Sequence, residues 1–193
     1  MEVQLRVLLA SEGALQTTFL ERAIAAAGHA VIARCGNSHE VLGALRASKV
    51  DLMIVQVQSI SRCMLDALER IYRDSPHPVL LVAAHGDGAS IRRAMRVGVS
   101  TYVVGELQPH RLGTIIEVCL ARFQMQEALR NDLKAVSEQL ADARDVERAK
   151  GVLMKRRQVD EEQALNTLQR MANDRRQRLG DFARSLLAVA EAL

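Results

Sequence analysis

The 193-residue chain has no tryptophan, three phenylalanines and two tyrosines, so only 3% of it is aromatic. That scarcity argues against recognition of bases on a sheet of stacked aromatic rings. Its three cysteines, Cys35, Cys63 and Cys119, are odd in number, widely spaced and without a CxxC pair. A disulfide framework or a zinc knuckle is therefore not expected; the pattern fits a reducing compartment, with all three as small buried apolar residues. No apolar run approaches the roughly 20 residues needed to span a bilayer. The opening MEVQLRVLLASEG has no basic segment followed by a long apolar one, so a cytoplasmic protein without membrane contact is expected. Charge of one sign is also lacking, with 26 basic residues against 23 acidic.

What is present is apolar material, 49% of the chain, which is enough to bury a core and excludes disorder as the dominant state. Residues 4 to about 120 alternate short apolar runs with helical stretches. QLRVLLA (4–10), AVIARC (30–35), LMIVQV (52–57), VLLVAA (79–84) and TYVV (101–104) read as strands, with helices near 14–27, 38–48, 62–74, 88–97 and from 109 onward. Five βα units predict a parallel, flavodoxin-like sheet covered on both faces. Gly28 and Gly98 stand where helices end, and Pro76 and Pro78 set off the fourth strand. A ligand site in such a fold lies at the carboxyl ends of the strands, here Ser11 and Glu12, Gln56, Ala83 and Ala84, and Gly105.

From 109 to 157 turn signals almost vanish, which predicts one long helix or two nearly continuous ones. Leu129, Leu133, Val136, Leu140 and Ala143 recur in steps of four, three, four and three, the a/d seam of a coiled coil about two heptads long, and point to a homodimer. Two short helices follow. Asp160 with Gln163 starts the first, with Ala164, Leu165, Leu168, Met171 and Ala172 on one face. Gly180 and Asp181 open the second, with Phe182, Ala183, Leu186, Val189, Ala190 and Leu193 as its stripe. With the end of the long helix these form a small three-helix unit. The expected organisation is thus 1–120, a linker helix 121–143, and 144–193.

Charge separates the halves. Residues 1–121 hold 12 basic and 11 acidic residues, whereas 144–178 alone hold 10 and 6. On a helix, Val146, Ala149 and Leu153 line one side, while Arg144, Arg148, Gly151 and Lys155 line the other. Glycine inside a helix costs about 1 kcal/mol relative to alanine, so Gly151 suggests that another backbone or a ligand comes close. Arg156 and Arg157 precede the turn, and Arg175, Arg176 and Arg178 lie between the last two helices; Lys150 flanks the apolar side, where it can snorkel. Such a unit can hold nucleic-acid phosphates, contact an acidic protein, or be merely solvated.

The first half resembles the receiver domain of two-component response regulators, with DLMIVQV (51–57) as its third strand and AMRVGVSTYVV (94–104) as the approach to its fifth. That family needs an acidic pair, a phosphoaccepting aspartate, a Ser/Thr and a lysine. The matching positions here are Ser11 and Glu12, Gln56, Ala83 and Gly105, so only Glu12 keeps its chemistry. A glutamine amide cannot take a phosphoryl group, and no phosphoacceptor is expected. The half is then a pseudo-receiver regulated by something else, or a scaffold that positions the tail. No GxGxxG or Walker lysine follows a strand, and His29, His39, His77, His85 and His110 are scattered, so neither an enzyme, a cofactor nor a metal site is expected.

RAKGVLMKRR (148–157), the EEQAL helix (161–165) and RQRLGDFA (176–183) resemble the ANTAR domain, an RNA-binding antitermination module, over about 140–193. The combination resembles the AmiR/NasT class, and GVSTYVVGEL (98–107) with a helix ending in ARF (121–123) is nearer its NasT branch. The resemblance implies binding of tandem stem-loops in leader RNA for nitrate or nitrite assimilation genes. It also implies control by a ligand-sensing, NasS-like partner. The residues expected to meet RNA are Arg148, Lys150, Lys155, Arg156, Arg157 and Arg176; those expected to join two copies are Leu129, Leu133, Val136 and Leu140. The competing readings are a DNA-binding response regulator, although no clear helix-turn-helix is visible, and a protein–protein signalling adaptor.

Overall fold

The computed structural model describes residues 4–12 and 17–191. Residues 14–16, expected to begin the first helix, and Leu193 lie outside the described residues. The chain divides into two compact units, Met1–Glu127 and Ala128–Leu193.

The first unit alternates strands β1 (Arg6–Ser11), β2 (Ala30–Cys35), β3 (Leu52–Val57), β4 (Val79–Ala83) and β5 (Thr101–Val104) with helices α1 (Thr18–Ala26), α2 (Ser38–Ala47), α3 (Arg62–Asp74) and α4 (Gly88–Arg96); α5 (Pro109–Arg157) begins here. All strands pair in parallel in the order β2-β1-β3-β4-β5. The β2-β1-β3 reversal puts the topological switch between β1 and β3, where Ser11 pairs with Gln56. Side-chain alternation divides the core between the two sheet faces. Leu8, Met53, Val55 and Leu81 meet Val41, Met64, Leu68 and Ala94 on one. Leu9, Leu52, Ile54 and Leu80 meet Leu20, Ile24, Leu112 and Ile116 on the other. Of the cysteines, Cys35 and Cys119 are buried as expected, but Cys63 is exposed, because the second residue of α3 faces away from the core.

Short polar side chains start the helices. Asn37 accepts the N–H groups of His39 and Glu40, Ser61 that of Met64 and Asp87 that of Ser90. Glycine ends two of them. At α1, the N–H of Gly28 reaches the Ala25 carbonyl and that of His29 the Ile24 carbonyl; Gly98 and Val99 repeat the pattern on Met95 and Ala94 after α4. Both glycines have positive φ, +83° and +92°, the left-handed residue of a Schellman turn.

The second unit packs the end of α5 with α6 (Glu161–Asp174) and α7 (Leu179–Glu191). Asp160 caps α6 by accepting the Gln163 N–H at 2.8 Å. Ala149 and Leu153 of α5, Ala164, Leu168 and Ala172 of α6, and Phe182, Ala183 and Leu187 of α7 form its core. The stripe expected on α7 is corrected at two places: Leu187 is buried, and Val189 is 63% exposed. Arg184 ties α7 to α5, bonding Asp142 at 2.9 Å and Asp145 at 3.1 Å. The fold class is the one expected: a five-stranded parallel α/β unit, a long helix, and short helices after it.

Candidate functional site

At the carboxyl edge of the sheet, the positions matching a phosphoryl-transfer site come together without its chemistry. Ser11, Gln56 and Val82 stand in register across β1, β3 and β4, and Ala83 pairs with Val104. The one retained carboxylate is engaged: Glu12 Oε1 accepts the Ser61 hydroxyl at 2.9 Å, while Ser61 caps α3. An amide, a methyl group and a glycine supply neither nucleophile nor counter-charge for a phosphoryl group. After incubation with acetyl phosphate and magnesium, intact-mass spectrometry is expected to show no added phosphoryl; a stable adduct at the sheet end overturns this.

In the second unit, two depressions share Val152 and Ala190 along α5 and α7. One, of about 280 Å³, is lined by Arg148, Gly151, Lys155 and Leu187. Among the described residues nothing lies within 4 Å of where a Gly151 Cβ would sit. Of the two approaches expected at Gly151, a backbone or a ligand, the first is corrected: among the described residues no other backbone comes close, and the notch lies open beside Arg148 and Lys155. The other depression, of about 330 Å³, has apolar walls of Leu153, Met171, Phe182, Leu186 and Val189, with Arg156, Arg157 and Arg175 also lining it. Arg156 Nη2 donates to the Ala190 carbonyl at 3.3 Å, which fixes its side chain across the α5–α7 seam. The Arg175 guanidinium lies 5.4 Å from the centre of the Phe182 ring, a cation–π contact. Arg175 received no site role from the sequence; the signal, an aromatic seven residues on in the next helix, needs the turn geometry to be read.

Arg176 holds the turn after α6. Its N–H reaches the Asn173 carbonyl at 2.9 Å and the Gln177 N–H reaches Ala172 at 3.0 Å, the same Schellman pattern as after α1 and α4. Here the left-handed residue, at φ +54°, is an arginine rather than a glycine. The strain of that conformation on a side-chain-bearing residue is about 1–2 kcal/mol.

Residues 134–187 match the ANTAR domain. Over 171 residues, 89% of this chain and 83% of the relative, the chain is 30% identical to the transcriptional regulatory protein PdtaR of Mycobacterium tuberculosis. It belongs to the PdtaR family. The first unit has the fold of the signal receiver domain of response regulator NarL from Mycobacterium tuberculosis, at TM-score 0.54 and 16% identity over 60% of this chain and 95% of that one. It equally matches a response regulator from Thermotoga maritima, at TM-score 0.51 and 22% identity over 61% of this chain and 99% of that one. This PdtaR-family chain is therefore a transcriptional regulator with a receiver-fold unit and an ANTAR domain.

Within the ANTAR domain the structure sorts the cations by what they touch. Arg178 lies 3.9 Å from Asp142, and Arg184 is held by three aspartates. Lys150, expected at the RNA surface, is corrected. Its side chain is 8% exposed, and Nζ lies 2.7 Å from both Glu147 Oε1 and Glu161 Oε1. These carboxylates raise the lysine's pKa, Glu147 most, and Lys150 in turn holds Glu161 below the usual carboxylate range. Lys150 thus locks α6 onto α5. Lys155, Arg157 and Arg176 are exposed and form no ion pair among the described residues. The seam residues Leu129, Leu133, Val136 and Leu140 are all 53–64% exposed. Among the described residues no helix is long and apolar enough to cross a membrane.

Proposed function

We propose that this chain is an RNA-binding transcription antiterminator of the cytoplasm. It binds stem-loops in leader mRNA, keeps the terminator hairpin from forming and lets transcription continue. The observation that carries the reading is the apolar depression bordered by Arg156, Arg157 and Arg175, continuous with the basic groove of Arg148 and Lys155. Hairpin loops present unstacked bases beside closely spaced phosphates. An apolar floor takes the base, and planar guanidinium groups grip phosphate in bidentate fashion or stack on rings. Two copies joined along Leu129, Leu133, Val136 and Leu140 present two such surfaces to a tandem pair of hairpins. The NasT-like stretch 98–107 extends the reading to nitrate or nitrite assimilation genes and to control by a ligand-sensing, NasS-like partner. The degenerate phosphoryl site agrees with an input of that kind.

The deciding experiment is read-through of a terminator-bearing leader transcript by purified polymerase with and without the protein. A rise in full-length product supports antitermination; no change at saturating protein sinks it. Titrating hairpin RNA beside matching duplex DNA at several salt concentrations separates this from a DNA reader. Loop-dependent preference for RNA supports the reading, and equal, steeply salt-sensitive binding to both reduces the site to a basic patch.

Arg176 offers a separation of fold from binding. Arg176→Gly relieves the left-handed strain, partly offset by the freer unfolded chain, so stability is expected to be unchanged or up to about 1 kcal/mol higher. Hairpin affinity is expected to fall severalfold, and the slope of log K against log salt to shrink by roughly 0.7–0.9 for one lost phosphate contact. A variant that melts no lower yet binds RNA as tightly removes Arg176 from the interface.

A further inference from the structure

We infer that the cavity at the carboxyl edge of the first unit's sheet is a receptor site for an uncharged, planar small molecule with an N–H donor beside an acceptor, such as a nucleobase or aromatic amide. The cavity holds about 640 Å³, within the range of small-molecule sites. The ends of β3, β4 and β5 wall it, together with α1, and Phe19, Leu20, Val82 and Leu107 supply much of its apolar surface.

Three features select the ligand. Gln56 ends the row Leu52, Ile54, Gln56, whose first two members are core. Its Oε1 is shut off from solvent and has no hydrogen-bond partner among the described residues. A leucine fills similar volume without that orphaned acceptor, so a stability role alone does not account for the amide. The terminal torsion of a glutamine is broad. It can turn the amide to meet the donor–acceptor edge of a bound ring, the pairing glutamine makes with adenine. Next, Gly105 has φ +90°, and a Cβ there would meet nothing within 4 Å. Open space thus remains where a receiver carries its lysine. Last, among the described residues the lining holds one carboxylate, Glu106, and one imidazole, His85, and neither lysine nor arginine, so it has no permanent cation to hold phosphate or another anion. Phe19, 56% exposed, offers a ring face for stacking.

Saturation-transfer NMR on the full chain tests the site, with nicotinamide and adenine as neutral probes and benzoate and inorganic phosphate as anionic ones. The expected result is a Kd of about 1 mM or tighter for a neutral probe, and at least tenfold weaker binding of both anions. Gln56→Leu is expected to weaken the neutral probe about tenfold, with a melting temperature equal to or above that of the parent. Should that variant fold poorly, Phe19→Ala, at an exposed position, is expected to weaken the probe severalfold. Failure of both neutral probes to bind, binding unchanged in a folded Gln56→Leu or in Phe19→Ala, or preference for the anions overturns the inference.

Discussion

Alanine at Lys155, Arg156 and Arg157 together is expected to weaken binding of leader hairpins by about 100-fold or more, because each charge-assisted contact is worth roughly 1.5–3 kcal/mol and the three are neighbours. All three side chains are exposed, and none is in the core of the second unit. What folding loses is small: the Arg156 bond to the Ala190 carbonyl, and favourable charge on the last turn of α5, about 0.3–1 kcal/mol. Alanine's higher helix propensity returns a few tenths of a kcal/mol per position. The triple variant is therefore expected to keep its circular dichroism and melting temperature. Fluorescence anisotropy with labelled hairpins at several salt concentrations reads the loss, and the salt slope is expected to drop by about 2–3. Unchanged affinity in a folded variant moves the interface elsewhere. A companion change, Lys150→Met, is expected to do the opposite, lowering stability and sparing RNA affinity, since its ammonium is enclosed by Glu147 and Glu161.

That contrast marks how far sequence alone could be read. The sheet was legible because five apolar runs alternate with amphipathic stretches, and the turn residues Gly28, Gly98 and Asp160 do locally what their chemistry predicts. The basic cluster was legible as a cluster, and its division of labour was not. Glu147, three residues before Lys150, hinted at an ion pair, but the second partner, Glu161, lies across a turn in the next helix. Arg175 is silent in the sequence for the same reason, since its ring, Phe182, belongs to α7. On α7 itself the register slipped by a residue or two. Leu186, Leu187 and Val189 are equally apolar, and only the packing of Ala183 and Leu187 against Leu153 and Leu168 decides which turn inward. Arg176 is the subtler case. A Schellman turn ordinarily announces itself by glycine, and an arginine at that place conceals the turn while holding an exposed cation on a left-handed backbone.

Leu133→Lys is expected to abolish self-association and with it most of the affinity for tandem hairpins. Leu133 is 64% exposed, and with Leu129, Val136 and Leu140 it forms an apolar stripe on a stretch of α5 that is otherwise polar apart from Ala135. A leucine row at a/d spacing that no other part of the second unit covers gains only if a second helix meets it. Lysine keeps the helix propensity of leucine within a few tenths of a kcal/mol and removes nothing from the unit's core, so the monomer is expected to fold. In a dimer it sets two like charges in an apolar seam. Sedimentation equilibrium is expected to give twice the chain mass for the parent and the chain mass for the variant. Linking two weak sites raises avidity by about 10²–10⁴, so tandem-hairpin affinity is expected to fall by that factor while single-hairpin affinity stays level. The two RNAs thus separate avidity from contact. A fall on both means the lysine disturbs the binding surface itself, and a fall on neither removes dimerisation from the mechanism, leaving the basic seam of α5 and α7 to act as a single site.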